Sequence, residues 1–149
     1  MVKAQRNFDT KRYMGKWIEV SSILQDWSLP CSGATATYKM INENNIEVTN
    51  RCLNEKGEIV GMFTGHAKTK NPHERLGHFV VNFGRSSGDY IVLDSDYESY
   101  ALVGGSTPDM LWVLKRPNYQ MTEIQYNSLV RKAKHNGYDI DKLKMSVYQ

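Results

Sequence analysis

From Trp17 to Arg116 apolar and polar residues alternate with a period of two, and turn-forming residues break the alternation at short intervals. That period belongs to strands with one face on a core and the other on water. Segments 17–24, 34–41, 46–53, 58–70, 76–83, 90–94, 99–103 and 111–116 read as eight strands. The breaks include Asn42-Glu43-Asn44-Asn45, Asn54-Glu55-Lys56-Gly57, Asn71-Pro72-His73-Glu74 and Gly84-Arg85-Ser86-Ser87-Gly88, rich in residues that accept turn geometry. No connection is long enough to force a parallel crossover, so antiparallel neighbours are expected throughout. After Thr122, a candidate N-cap, the period becomes helical. Ile124, Leu129, Val130 and Ala133 are expected near one face with Tyr126 at its border, leaving Arg131, Lys132 and Lys134 to water. Asn136-Gly137 ends the helix, and Lys144–Tyr148 reads as a short last strand.

Eight such strands close as a barrel or split into a sandwich. A closed eight-stranded barrel encloses room for one small ligand. In the barrel, Trp17, Glu19 and Ser21 point inward while the helix covers Ile18 and Val20. The expected lining continues with Ala36 and Tyr38, Val48 and Asn50, then Phe79, Val81 and Phe83, then Tyr90 and Val92, and finally Trp112 and Leu114. A slip of one residue would turn any of these sets outward.

Composition narrows the function. The 149 residues imply one domain spanning 1–149. A net charge of +3, with no basic run beyond Arg131-Lys132-Ala133-Lys134, argues against nucleic acid. His66, His73, His78 and His135 lack metal-ligand spacing, and no catalytic elbow, phosphate loop or cofactor motif occurs. The first residues lack the apolar core of a secretory signal. A native start implies the cytoplasm; a removed signal peptide implies the periplasm, outer membrane or secretion. Leu24, Trp27 and Leu29, after the first strand, read as a mouth, a lid, a dimer contact or packed rim. Cys31 and Cys52 are offset in a simple hairpin centred on Asn44, out of bonding reach unless the chain curls back.

Three motifs carry a family resemblance. Asn7-Phe8-Asp9-Thr10-Lys11-Arg12-Tyr13-Met14-Gly15-Lys16-Trp17 resembles the first signature of the lipocalins. Asp94-Ser95-Asp96-Tyr97 resembles the second, and Leu111-Trp112-Val113-Leu114-Lys115-Arg116-Pro117 the third. Tyr97-Glu98-Ser99-Tyr100-Ala101-Leu102-Val103-Gly104 and Asn136-Gly137-Tyr138-Asp139 resemble the branch holding the bacterial outer-membrane lipocalins, apolipoprotein D and the plant temperature-induced lipocalins. The segment from Phe83 to Tyr90 departs from that branch in being shorter and less aromatic.

The resemblance implies an all-β fold: an eight-stranded antiparallel up-and-down barrel, the lipocalin calyx, with one C-terminal helix packed outside. It implies that Arg116 stacks on Trp17 at the closed end and that Asp94 and Asp96 form a structural corner. It also favours a Cys31–Cys52 bridge. The implied activity is transport or storage of a small hydrophobic ligand, a fatty acid or lysophospholipid, without cofactor or metal. Peripheral membrane association and a monomer or dimer accord with it. The alternatives are a lipocalin-fold isomerase or epoxidase acting on a bound lipid or pigment, and a filled barrel serving as an interaction protein.

Overall fold

Gly15 sits at φ +104°, a backbone conformation that residues with a Cβ rarely adopt, and there the chain leaves a single helical turn to enter its first strand. The computed structural model describes residues 2–23 and 31–149. After α1 (Thr10–Tyr13) come β1 (Gly15–Ile23), β2 (Gly33–Asn42), β3 (Asn45–Leu53), β4 (Ile59–Thr69) and β5 (His78–Phe83). They are followed by β6 (Ser86–Ser95), β7 (Tyr100–Gly104), β8 (Leu111–Lys115), α2 (Glu123–His135) and β9 (Leu143–Met145). Strands β1 to β8 pair antiparallel in chain order, and β8 returns to β1, closing the barrel.

The seam is unusual. β1 pairs with β2 only from Gly15 to Ile18, and further along β9 takes the place beside Ser21, Ser22 and Ile23. The Ser146 amide then donates to the Val20 carbonyl and the Tyr148 amide to the Ser32 carbonyl. The C-terminal segment thus stitches the upper part of β1 to the entry of β2. β6 also begins earlier than alternation implies, because Gly84 (φ +60°) and Arg85 suffice to turn the chain and Phe83 pairs with Ser86.

Two cores result. One fills the base of the barrel with Phe8, Tyr13, Trp17, Tyr38, Val48, Phe79, Val92 and Leu114. The other lies outside, where Leu129 and Ala133 of α2 pack on Val20, Leu93, Leu102 and Val113. Ile124 departs from expectation: it is 81% exposed. At about 100° per residue, Ile124 falls opposite Ala133 on the helix, so it cannot share the buried face.

A bulge shapes two of the strands under the helix, β1 and β6. Between Glu19 and Ser21 the β1–β8 register shifts, and between Val92 and Asp94 the β6–β7 register shifts. Each bulge sends two successive side chains outward. Val20 and Leu93 join the outer core, the Tyr126 hydroxyl donates to Ser21 Oγ at 2.9 Å, and Lys132 pairs with Asp94 at 3.3 Å.

Candidate ligand site

The closed end is sealed from below. Trp17 is fully buried, and the Arg116 guanidinium lies 3.9 Å from the centre of its ring. Arg116 Nε donates to the Tyr97 carbonyl, Nη1 to that of Lys16, and Nη2 to those of Arg12, Tyr13 and Met14. A stacked cation with every bond on backbone is a plug, as the resemblance implies, not a free anion anchor. The adjoining corner is held by Asp96, which accepts from the amides of Glu98, Ser99 and Tyr100. Partial burial pushes its carboxyl up, but these amide bonds prevail and hold it below the ordinary range.

Above the plug lies a floor of tyrosines. Tyr13 and Tyr90 hydroxyls meet at 2.6 Å, and the Tyr38 hydroxyl donates to Tyr90 at 2.9 Å. Phe8 and Phe79 close around them with edge-on and tilted ring contacts.

Cross-strand register fixes which side chains face inside, since directly opposed residues share a face. Trp17 opposes Ala36, Ala36 opposes Asn50, and Asn50 opposes Phe63. Likewise Glu19 opposes Leu114 and Ser22 opposes Trp112, while Phe79 opposes Tyr90 and Val92 opposes Val103. Exposure along this inner face has a gradient. Tyr38, Val48, Phe79, Val92 and Leu114 are buried, while Ala36, Asn50, Val81, Phe83, Tyr90 and Trp112 are half-buried and Phe63 is 49% exposed. An inward side chain in a closed barrel keeps solvent contact only where a hollow opens to water. Among the described residues the solvent-reachable part of the inner face is mainly aromatic and aliphatic, with Asn50 among it.

Glu19 is the charged group among the lining candidates. Desolvation pushes its carboxyl up, against the opposing effect of hydrogen bonds from Ser146 and Ser22; the Ser146 Oγ to Glu19 Oε2 distance is 3.2 Å.

Twelve of the thirteen expected lining residues lie on the inner face; Ser21 does not. The extra residue at Val20 flips the alternation, so Ser21 faces α2 and Ser22 faces the calyx. Alternation alone carries no mark of a bulge without Gly or Pro. Phe63, Tyr13, Val103 and Ala101 were not anticipated; counting register from Asn50 would have found Phe63. Cys31 and Cys52 are bonded, with Cα atoms 5.3 Å apart. The chain does curl back: Ser32 N–H bonds to the Leu53 carbonyl, bringing Cys31 toward Cys52 although Cys52 pairs with Ala34. Leu24, Trp27 and Leu29 lie outside the described residues. Among the described residues no group of His, Cys, Asp or Glu is arranged to hold a metal.

A barrel plugged at one end, hollow and apolar toward the other, defines a binding protein for small hydrophobic molecules. Residues 8–147 match the family model of the lipocalin-like domain, and the chain belongs to the lipocalins. It is 34% identical to temperature-induced lipocalin-1 of Arabidopsis thaliana, covering 93% of this chain and 78% of the relative. It is 31% identical to the outer membrane lipoprotein Blc of Citrobacter freundii, covering 95% and 80%. The fold matches insecticyanin of Manduca sexta with a TM-score of 0.77 at 18% identity, over 100% of this chain and 85% of that one. Lipocalins are in general binding and transport proteins rather than enzymes.

Proposed function

We propose that the calyx reversibly binds a fatty acid or lysophospholipid, chain inward, for storage, transport or scavenging. The supporting observation is the solvent-reachable apolar inner face. Each CH₂ taken from water there contributes ~0.8 kcal/mol, so a long chain gains affinity without chemistry. Asn50 on the solvent-reachable inner face offers a polar contact to a headgroup, and Glu19 offers one deeper in the barrel. The Cys31–Cys52 bond favours an oxidising compartment, in keeping with a periplasmic, outer-membrane or secreted protein. Exposed Ile59, Val60 and Met62 at the start of β4 favour loading at a lipid surface.

Trp112, on the inner face opposite Ser22 and Val103, is the residue to remove. Trp112→Ala should weaken displacement of a fluorescent fatty acid by about tenfold or more, from roughly 1.5–3 kcal/mol of lost burial. Solvent extraction of the purified protein, followed by mass spectrometry, should recover an acyl lipid near one-to-one stoichiometry. Unchanged affinity in a folded Trp112→Ala protein would refute the role of β8 in the site.

A further inference from the structure

Three phenols meet at the calyx floor, and their protons do not balance. Tyr13, Tyr38 and Tyr90 bring three O–H donors, yet two hydrogen bonds join them. Among the described residues no acceptor meets the third proton. A buried hydroxyl donor left unmet forfeits its hydration with nothing in return.

Burial decides where that proton goes. Tyr13 is 2% exposed and Tyr38 7%, whereas Tyr90 is half-buried at the boundary with the open upper calyx. Tyr13 is hemmed by Phe8, Trp17 and Tyr38 rings, which accept no ordinary hydrogen bond. The lowest-cost arrangement has Tyr13 and Tyr38 both donating to Tyr90, filling its two lone pairs and leaving its own proton aimed into the cavity. Two incoming bonds polarise that hydroxyl and strengthen it as a donor. All three phenols stay protonated at neutral pH: desolvation pushes Tyr38 up to about 12 and holds Tyr13 and Tyr90 well above the ordinary value. Arg116, the cation acting on Tyr13, is stacked over Trp17 and committed to backbone carbonyls, so the floor is a neutral donor.

We propose that the Tyr90 hydroxyl, backed by Tyr13 and Tyr38, is a hydrogen-bond donor to the buried part of the ligand. The calyx thereby selects apolar molecules that carry a neutral acceptor oxygen on the inserted chain: a ketone, hydroxyl or epoxide. This rests on the carrier reading and narrows it. A plain saturated chain leaves the Tyr90 proton unmet, while an oxygenated chain satisfies it.

The test is displacement of a fluorescent fatty acid from the full chain by stearic acid and by keto-stearic acids with the ketone at successive positions. At the matching position the ketone should bind about three- to tenfold tighter than stearic acid, the worth of one ordinary hydrogen bond. Tyr90→Phe should erase that preference, so that the keto-stearic acids and stearic acid bind this variant alike. Tyr38→Phe should retain most of it, since Tyr90 keeps its proton, whereas a purely structural role would treat the two variants alike. If Tyr90→Phe fails to fold, the carbonyl stretch of the bound ketone in the unaltered protein reads the same bond, moving to lower frequency when hydrogen-bonded. Equal affinity at every position, or an unshifted stretch, overturns the donor and leaves the carrier standing. A protein that never takes up the probe overturns the carrier reading, and the donor falls with it.

Discussion

The base and the rim of the barrel are made from the same strands and finished in opposite ways. At the base, inner-face residues are aromatic, mutually packed and closed off by Arg116 over Trp17. At the rim the inner face keeps its water contact, and β4 begins with Ile59, Val60 and Met62 exposed on its outer side. Strand alternation alone does not make a closed end; packing made it, through α1 carrying Tyr13 under the barrel and the plug below it. The base therefore carries most of the stability, and the rim has no comparable packing to lose.

The sharpest way to break this contrast is to empty the base. Trp17→Ala should cost about 3–5 kcal/mol in urea unfolding, as large-to-small changes in packed cores do. Met62→Ala at the rim should stay within about 0.5 kcal/mol. Comparable losses at the two sites would dissolve the distinction.

The Cys31–Cys52 bond ties the entry of β2 to the end of β3, closing a sequence separation of 21 near the rim. Replacing both cysteines with serine should lower stability by about 3 kcal/mol on the chain-entropy account. Ligand displacement measured below the unfolding transition should change much less, because the bond constrains the chain and not the lining.

Glu19 gives the smallest effect and the finest test. Its carboxyl is raised from the ordinary 4.5, chiefly by desolvation, so the folded state holds the proton more tightly than the unfolded one. Its contribution is fully present below the unfolded value and is lost as pH rises through the folded value. Glu19→Gln should remove that loss, so the variant gains thermal stability relative to the parent as pH climbs from 4 to 8. A difference in melting temperature that stays constant with pH would mean Glu19 is solvated like a rim residue.

What the sequence made legible follows from how local each signal is. Alternation around Tyr38, Val48, Phe79 and Trp112 reads directly as an inner face, and no bulge falls between these residues and their inward neighbours Ala36, Asn50, Val81 and Leu114. Ser21 escapes the alternation because the bulge at Val20 depends on what α2 presses against, a tertiary fact. Ile124 departs from the helical pattern for a different reason: at about 100° per residue it falls opposite Ala133 and faces water. The closeness of Cys31 to Cys52 hinges on one backbone bond from Ser32 to Leu53, which no pattern of side chains encodes. The tyrosine floor joins residues from α1, β2 and β6, far apart in the chain, so only the closed barrel brings it together.

The seam of the barrel has a consequence for how the protein comes into being. β1 precedes every other strand in the chain, yet its partners β8 and β9 follow all the strands of the meander. The β2–β7 meander can pair neighbour by neighbour as it emerges, while β1 waits for β8 and β9. Closure therefore waits on the latest strands, and a chain stopped short of Leu143 would leave Ser21 to Ile23 with an unmade edge. Such a fragment offers a strand to whatever lies nearby, which makes premature termination a route to aggregation more than to a smaller working protein.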